Sequence, residues 1–154
     1  MVKDLILGLD PGQTTGVAIL DLSLRRPTLT LARSSPTEIL KEILPMRRRI
    51  LTAVIEDFIG GGPMYGPSKA TLQVLGFLRY RLRELHVPVT MQAPQIRQAY
   101  KQKARSLLEP RPSAHQVDAL AHCLAFQARR YPPSQENLAL AGLMPYDGSQ
   151  PESS

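Results

Sequence analysis

The sequence predicts an α/β domain in which helices cover a mixed β-sheet. The first half contains apolar runs of strand length separated by Gly and Pro turn signals, and two later apolar runs alternate with helical segments. Such an order is typical of one sheet with helices packed on it. The chain has 154 residues, the size of one domain, and 43% of them are hydrophobic. This content is enough for one core and argues against wholesale disorder.

The first three strands are predicted near the N-terminus. Residues 4–10 form a continuous apolar run that ends in Asp10, which is typical of a buried central strand. Residues 17–20 form a second strand, and the alternating residues 28–32 suit a half-exposed third strand. The short connections between these runs predict an antiparallel meander.

Helices and two more strands alternate in the following segments. In chain order we expect a short helix from Ser35, a strand over 50–55, a helix over about 68–86, a strand over 87–91, a helix from Pro94 and a helix over about 114–130. Ser113 and Gln116 form a capping box for the final helix. We assign 1–130 to the folded domain and the Pro- and Ser-rich residues 131–154 to a poorly ordered tail.

The charge of the chain is basic and unevenly distributed. The net charge is +6 and the pI is near 9.8. All Lys and Arg residues lie within residues 1–130, whose net charge is +9, and the last 24 residues carry −3. A basic domain permits nucleic acid, an anionic membrane or an acidic protein as the partner, and the charge does not choose among them.

Cysteine content and hydropathy restrict the protein class further. One cysteine excludes an intrachain disulfide framework and a Cys-based zinc site. No apolar run approaches the ~20 residues that a membrane span requires, and no signal peptide is recognised. We therefore expect a cytoplasmic protein without a membrane partner.

Acidic residues end two of the predicted strands. Asp10 follows the first strand, and Glu56 and Asp57 follow the strand over 50–55. Side chains alternate across a strand, so only one of Glu56 and Asp57 can share a face with a site there, and periodicity does not say which. Each of these residues could also be a turn-forming or surface carboxylate.

The final helix carries a third polar motif. His115 and Asp118 are three residues apart and project to one side, opposite an apolar side formed by Val117, Leu120, Ala121 and Leu124. His122 lies on roughly the same face as His115, where a helix-surface role is favoured over a ligand role. Cys123 is interpreted as a small core residue.

Two strand-end carboxylates, together with His115 and Asp118 of the final helix, offer four hard or borderline metal ligands. Oxygen-rich sets of this kind suit Mg²⁺ or Mn²⁺. Two such ions ~3.5–4 Å apart can bind both the attacking and the leaving oxygen of a phosphodiester. Crowded carboxylates repel one another unless cations are present, so the cluster is either metal-loaded or strained.

The motifs resemble those of the RuvC family of Holliday-junction resolvases, within the RNase H-like (retroviral integrase) superfamily. The resemblance covers about residues 3–128 in the right order. It rests on Gly8-Leu9-Asp10-Pro11-Gly12 with Thr15-Gly16, on Val54-Ile55-Glu56, and on His115-Gln116-Val117-Asp118-Ala119-Leu120-Ala121. The first and third motifs are fairly specific, and the middle one is weak alone.

The resemblance implies both an architecture and an activity. It implies a five-stranded sheet, three strands antiparallel and then two parallel, with two Mg²⁺ or Mn²⁺ ions held by Asp10, Glu56, His115 and Asp118 at the strand ends. His115 stands where many family members carry Asp. The implied protein is a homodimeric crossover junction endonuclease that resolves four-way DNA junctions by paired symmetric nicks. The short stretch between the third strand and Glu56 suggests a trimmed, phage-like member.

Candidate DNA contacts follow from the same resemblance. Family members tend to have aromatic residues past the second acid, where this chain has Phe58 and Tyr65, although Phe58 could equally be a packing residue. The basic side chains that could contact phosphates are Arg97, Lys101, Lys103 and Arg105, followed by Arg47, Arg48 and Arg49. The helix around residues 69–85 is the candidate dimer interface, and its alternative role is packing on the sheet.

Three other functions remain open at this point. A branched-DNA-binding module without catalysis would not need all four ligand types. An RNase H-like nuclease acting on RNA would use the same residues. The segment from Leu9 to Gly16 also resembles the first phosphate loop of actin-like ATPases, but those enzymes need two lobes and 154 residues are too few.

Overall fold

The chain forms one five-stranded sheet with helices on both faces. A computed structural model describes residues 2–57, 68–108 and 110–130. The strands are β1 (Leu5–Asp10), β2 (Thr15–Asp21), β3 (Arg26–Arg33), β4 (Ile50–Glu56) and β5 (Val89–Gln92). The α-helices are α1 (Pro36–Ile43), α2 (Lys69–Glu84), α3 (Lys101–Leu107) and α4 (Ala114–Arg130), and 3₁₀ helices span Leu44–Arg49 and Pro94–Tyr100.

The strand order is β3-β2-β1-β4-β5. β1, β2 and β3 form an antiparallel meander, whereas β4 pairs parallel to β1 and β5 pairs parallel to β4. The mixed five-stranded sheet predicted from the sequence, three strands antiparallel and two parallel, is therefore confirmed. Its central strand β1 is buried along its whole length, in agreement with its unbroken apolar run.

Alternation along the strands divides the core into two layers. Odd-numbered β1 residues such as Leu7 and Leu9 pack with apolar residues of α1 and α2. Even-numbered residues such as Ile6 and Val54 pack with α3 and α4 on the other face. Any even-numbered residue at the end of β1 or β4 therefore faces the α4 side of the sheet.

Side-chain caps fix the start of the long helices. The Ser68 hydroxyl accepts from the backbone N–H of Thr71 at the start of α2. Before α4, the Ser113 N–H donates to Gln116 Oε1 at 2.8 Å, and the Gln116 N–H donates to Ser113 Oγ at 3.2 Å. These reciprocal bonds confirm the predicted capping box and set the residue at which α4 begins.

The helix predicted from Pro94 is wrong as a single element. The chain forms the 3₁₀ helix Pro94–Tyr100 and only then α3. Tyr100, with φ −112° and ψ −4°, departs from α-helical geometry and separates the two segments. As a result, Arg97 lies on a different element from Lys101, Lys103 and Arg105.

Some predictions fall outside the described residues. Phe58 and Tyr65 are among them, as is the predicted tail over residues 131–154. No helix within residues 2–57, 68–108 and 110–130 is long and apolar enough to cross a membrane.

Candidate active site

Two carboxylates meet at one edge of the sheet. Leu9 of β1 pairs with Ile55 of β4 in parallel register, so Asp10 and Glu56 end neighbouring strands at the same edge. Both positions are even-numbered, and both side chains are buried. Strand alternation thus selects Glu56 rather than Asp57 for the face on which α4 packs.

Close packing brings α4 against these strand ends. A methyl group at Gly8 would lie 2.1 Å from the Ala119 carbonyl oxygen and 2.6 Å from Cys123 Sγ, so only glycine fits there. Cys123 is fully buried, as predicted for a core residue, and burial raises the pKa of its thiol. The close approach places a polar stripe of α4 over the sheet edge.

The first member of this stripe, His115, contacts Asp10. Its Nδ1 lies 3.1 Å from Asp10 Oδ2. An ionised carboxylate only accepts hydrogen bonds, so Nδ1 is the donor and the carboxylate fixes the orientation of the ring. The His115 side chain remains 45% exposed, so this end of the site is open to solvent.

Asp10 is electrostatically strained. Burial raises the pKa of the Asp10 carboxyl above its ordinary value, and the negative charge of Asp118 raises it further. The hydrogen bond from His115 opposes this rise. The carboxylate thus lies where added positive charge would stabilise its ionised form.

Glu56 has a buried histidine as its neighbour. His122 Nε2 lies 3.5 Å from Glu56 Oε1, and His122 Nδ1 lies 2.7 Å from Gln92 Oε1. The prediction of a helix-surface histidine is wrong, because the side chain is fully buried. Burial, with the nearby charge of Arg97, lowers the pKa of His122 from 6.5 to about 4, so the ring is neutral at pH 7.

Two cations lie inside the acidic cluster. Arg97 forms an ion pair with Glu56 through Nη1, and its Nε lies 3.4 Å from Asp118 Oδ1. Lys101 Nζ lies 3.2 Å from the same Asp118 oxygen. The structure therefore places two of the predicted phosphate-contacting residues among the predicted metal ligands, where Arg97 bridges Glu56 and Asp118.

The four predicted site residues share one region but do not form a compact ligand set as arranged. In the described ranges, no three His, Cys, Asp or Glu side chains are close enough to hold one metal ion. Asp10 is joined to His115, and Glu56 is joined to Asp118 through Arg97. The Arg97 guanidinium thus lies between the carboxylates of Glu56 and Asp118.

The remaining predicted cations are more distant from the cluster. Lys103 and Arg105 are exposed on α3, the helix that carries Lys101. Arg49 instead donates to Asp4 at 2.9 and 2.7 Å and lies 3.4 Å from Asp21, at the end of the sheet opposite Asp10. Arg49 therefore forms a local ion-pair network, and its hydrogen bonds to Asp4 lower the pKa of that carboxyl.

Sequence reasoning did not identify His122 and Gln92 as parts of this site. Gln92 ends β5 next to Glu56, just as Glu56 ends β4 next to Asp10. His122 is seven residues after His115, two helical turns along the same stripe. The strand-end position of Gln92 and the helical spacing of His122 were visible in the sequence. Neither signal could be interpreted without knowing how α4 packs on the sheet.

Comparisons with known proteins find similar solved structures but no matching protein family. No protein-family model matches the chain, and no curated protein matches it. The Thermus thermophilus RuvC structure matches with TM-score 0.64 and 21% identity, over 82% of this chain and 96% of that one. T. thermophilus RuvC in complex with Holliday junction substrate matches with TM-score 0.62 and 18% identity, over 83% and 96%. The strand order, the strand directions and these matches together show that this chain has the fold of the T. thermophilus RuvC structures.

Proposed function

We propose that this protein is a divalent-metal-dependent endonuclease that resolves four-way DNA junctions by paired symmetric nicks. The observation that carries the proposal is the acidic cluster of Asp10, Glu56 and Asp118 with His115, at the strand ends of a RuvC fold. The similar structure of T. thermophilus RuvC is a complex with a Holliday junction, which supports branched DNA as the substrate.

The donor set fits divalent cations. Three carboxylates and one imidazole are ligands that Mg²⁺ and Mn²⁺ accept. One observation supports a missing positive charge beside Asp10: burial raises the pKa of its carboxyl, and the nearby charge of Asp118 raises it further. Asp10, Glu56, His115 and Asp118 would hold two ions, and bound ions would activate water and stabilise the leaving oxygen.

The protein's own groups prepare the site for this reaction. Asp10 orients the His115 ring through the Nδ1 hydrogen bond, and the ring lies at the open side of the cluster. His122 is neutral and fully buried beneath Glu56, and together with the apolar side of α4 it excludes water from the inner side of that carboxylate. Water therefore reaches the cluster from the side on which His115 lies.

Basic residues near the cluster, and two aromatic residues that follow Glu56 in the sequence, would hold the DNA. Exposed Lys103 and Arg105 on α3 are placed to contact backbone phosphates, which fix position without reading sequence. We propose the same role for Arg97 and Lys101 once DNA is bound. Phe58 and Tyr65, in the segment after Glu56, remain the candidates for stacking at the junction.

We also propose that the protein is a homodimer, because two symmetric nicks in a two-fold junction need two sites. The α2 surface supports this interface. Helix α2 exposes Leu72, Phe77 and Tyr80 to solvent, and its opposite side packs on the sheet. A second copy of this chain would cover these side chains.

A cleavage assay tests the function. The protein is incubated with a synthetic four-way junction, a duplex, a flap and a structured RNA, each with Mg²⁺ or with a chelator. We expect paired nicks at symmetric positions in the junction only, and only with Mg²⁺. Asp10→Asn should lower the cleavage rate at least roughly a hundredfold, the scale expected when one electrostatic group of a site is removed, while junction binding persists.

Glu42→Gln is the matched control, because Glu42 is an exposed carboxylate on α1, the face of the sheet opposite α4. Full cleavage by Asp10→Asn would contradict the assignment of the site. Junction binding without cleavage under any metal would instead indicate a non-catalytic branched-DNA-binding module, and cleavage of RNA alone would indicate an RNA nuclease.

A further inference from the structure

We propose that Arg97 is a displaceable internal cation that competes with the metal ions for Glu56 and Asp118, and so sets the metal affinity of the site. This inference rests on the proposed metal-dependent function and adds a residue that the four ligands do not include. Arg97 acts on those ligands without being one of them, which makes it a positioning residue.

Arg97 bridges two of the proposed metal ligands. Its guanidinium pairs with Glu56 on β4 and approaches Asp118 on α4, two carboxylates that no other described side chain joins. The Arg97 side chain is only 16% exposed and that of Glu56 only 4%. At such burial an ion pair is screened little by solvent, so the guanidinium is a strong competitor for the carboxylates.

The charges of the cluster lead to the same conclusion. Asp10, Glu56 and Asp118 contribute three negative charges, and Arg97 and Lys101 contribute two positive charges among them. Two added divalent ions would leave a large excess of positive charge if both side chains stayed in place. Displacement of one side chain relieves this excess, and the bridge at Glu56 is the pair that a metal must replace.

Several features make Arg97 the side chain that moves. Its Nε is buried without a hydrogen bond, and its Nη1 has an alternative weak partner in the Pro94 carbonyl at 3.3 Å. Arg97 lies on a short 3₁₀ helix that has no side-chain cap. Lys101 remains paired with Asp118 on a separate α-helix, so Asp118 keeps one cation when Arg97 leaves.

Displacement would also give Arg97 its second partner. A freed guanidinium at the mouth of the cluster presents a planar pair of donors, which suits a phosphate oxygen pair. One side chain would then pair with Glu56 in the metal-free protein and with the DNA backbone in the loaded protein.

Metal titration without DNA tests the proposal. Wild type, Arg97→Gln, Arg97→Lys and Arg26→Gln are titrated with Mn²⁺ by calorimetry, and their melting temperatures are measured with and without Mn²⁺. Arg97→Gln should bind Mn²⁺ roughly tenfold more tightly, because no internal charge must be displaced. Arg97→Lys keeps the charge and should stay closer to wild type.

Arg26→Gln is the matched control, because Arg26 is exposed on β3 and lies opposite Asp21 in the β2–β3 strand register, at the sheet end away from Asp10. Its affinity should equal that of wild type. Without metal, Arg97→Gln should melt at a lower temperature, since Glu56 loses its partner, and Mn²⁺ should raise its melting temperature more than that of wild type.

Equal or weaker Mn²⁺ binding by Arg97→Gln overturns the competition while leaving the metal site intact. Absence of Mn²⁺ binding in every variant, wild type included, overturns the proposed metal dependence and this inference with it. If Arg97→Gln does not fold, the Arg97 Nε–H signal is followed by NMR in wild type during Mg²⁺ titration. A shift of that signal supports displacement, and an unchanged signal refutes it.

Discussion

Gly16 on β2 lies directly beneath the backbone of His115. A methyl group at Gly16 would be 1.9 Å from the His115 carbonyl oxygen and 2.9 Å from the His115 Cβ. The first turn of α4 therefore packs directly against the β2 backbone at Gly16. Gly16 is the strand partner of Asp10 on β1. This contact sets the height of His115 above Asp10.

The first prediction concerns this contact. Gly16→Ala forces the start of α4 away from the sheet, because the clash is with backbone atoms that cannot rotate aside. We expect a loss of about 2 kcal/mol in the free energy of unfolding, typical of overpacking. Displacement of His115 should also lower junction cleavage by roughly a hundredfold, since small misplacements cost that much. Denaturant unfolding and cleavage rates measure the two effects.

Gly76 provides the control for the stability part of this prediction. It lies on α2, where a methyl group meets nothing within 4 Å. Gly76→Ala should raise the free energy of unfolding by about 0.5–1 kcal/mol, because Ala favours the helix. Equal stability of Gly16→Ala and wild type would contradict the prediction, because it would show that α4 can shift to accommodate the added methyl group.

The second prediction concerns His122 and pH. Its pKa is about 4 in the folded protein, against an ordinary value of 6.5. Between these values the unfolded chain binds the extra proton, so the free energy of unfolding falls as the pH drops from about 6.5 toward 4. The contribution is roughly 2 kcal/mol between pH 7.5 and pH 5.

His122→Gln removes the titrating ring from this position. Relative to wild type, the variant should therefore gain about 2 kcal/mol of stability when the pH falls from 7.5 to 5, as measured by urea unfolding without metal. His86→Asn, which replaces an exposed histidine at φ 58°, should follow the wild-type pH profile. A constant difference between His122→Gln and wild type at both pH values would contradict a neutral, buried His122.

The third prediction concerns the α2 surface. Leu72→Glu places a charge in the proposed dimer interface, where its burial against a second copy would be costly. We expect the variant to sediment as a monomer at a concentration at which wild type is a dimer, and to nick junctions without pairing the two cuts. Leu24→Glu is a control of similar exposure, 53% against 50%, in the turn between β2 and β3. A Leu72→Glu dimer would place the interface elsewhere.

Much of this architecture could be predicted because its signals are local. The apolar run ending at Asp10, the alternation in β3 and the Ser113 capping box each depend on neighbouring residues. The ends of β1 and β4 and the first turns of α4 were likewise visible in the sequence, and the structure places Asp10, Glu56, His115 and Asp118 along one edge of the sheet.

The contacts among charged groups could not be predicted in this way. Arg97 was expected on one helix with Lys101, yet it lies on a separate 3₁₀ helix, between Glu56 and Asp118. His122 was expected at the surface, yet it is fully buried and its ring contacts Gln92 at the end of β5. Both outcomes depend on how elements distant in sequence pack, and neither periodicity nor composition contains that information.

The contact between Asp10 and His115 spans 105 positions of the chain, and it has a consequence for how the protein is made. A ribosome completes β1 and β4 long before it reaches α4, so a growing or truncated chain that stops before residue 115 carries two of the proposed ligands and no partner helix. Such a fragment also exposes Gly8 and Gly16 to water. The proposed cleavage activity therefore requires that α4 has been synthesised and has docked on the sheet, because His115 and Asp118 lie on that helix.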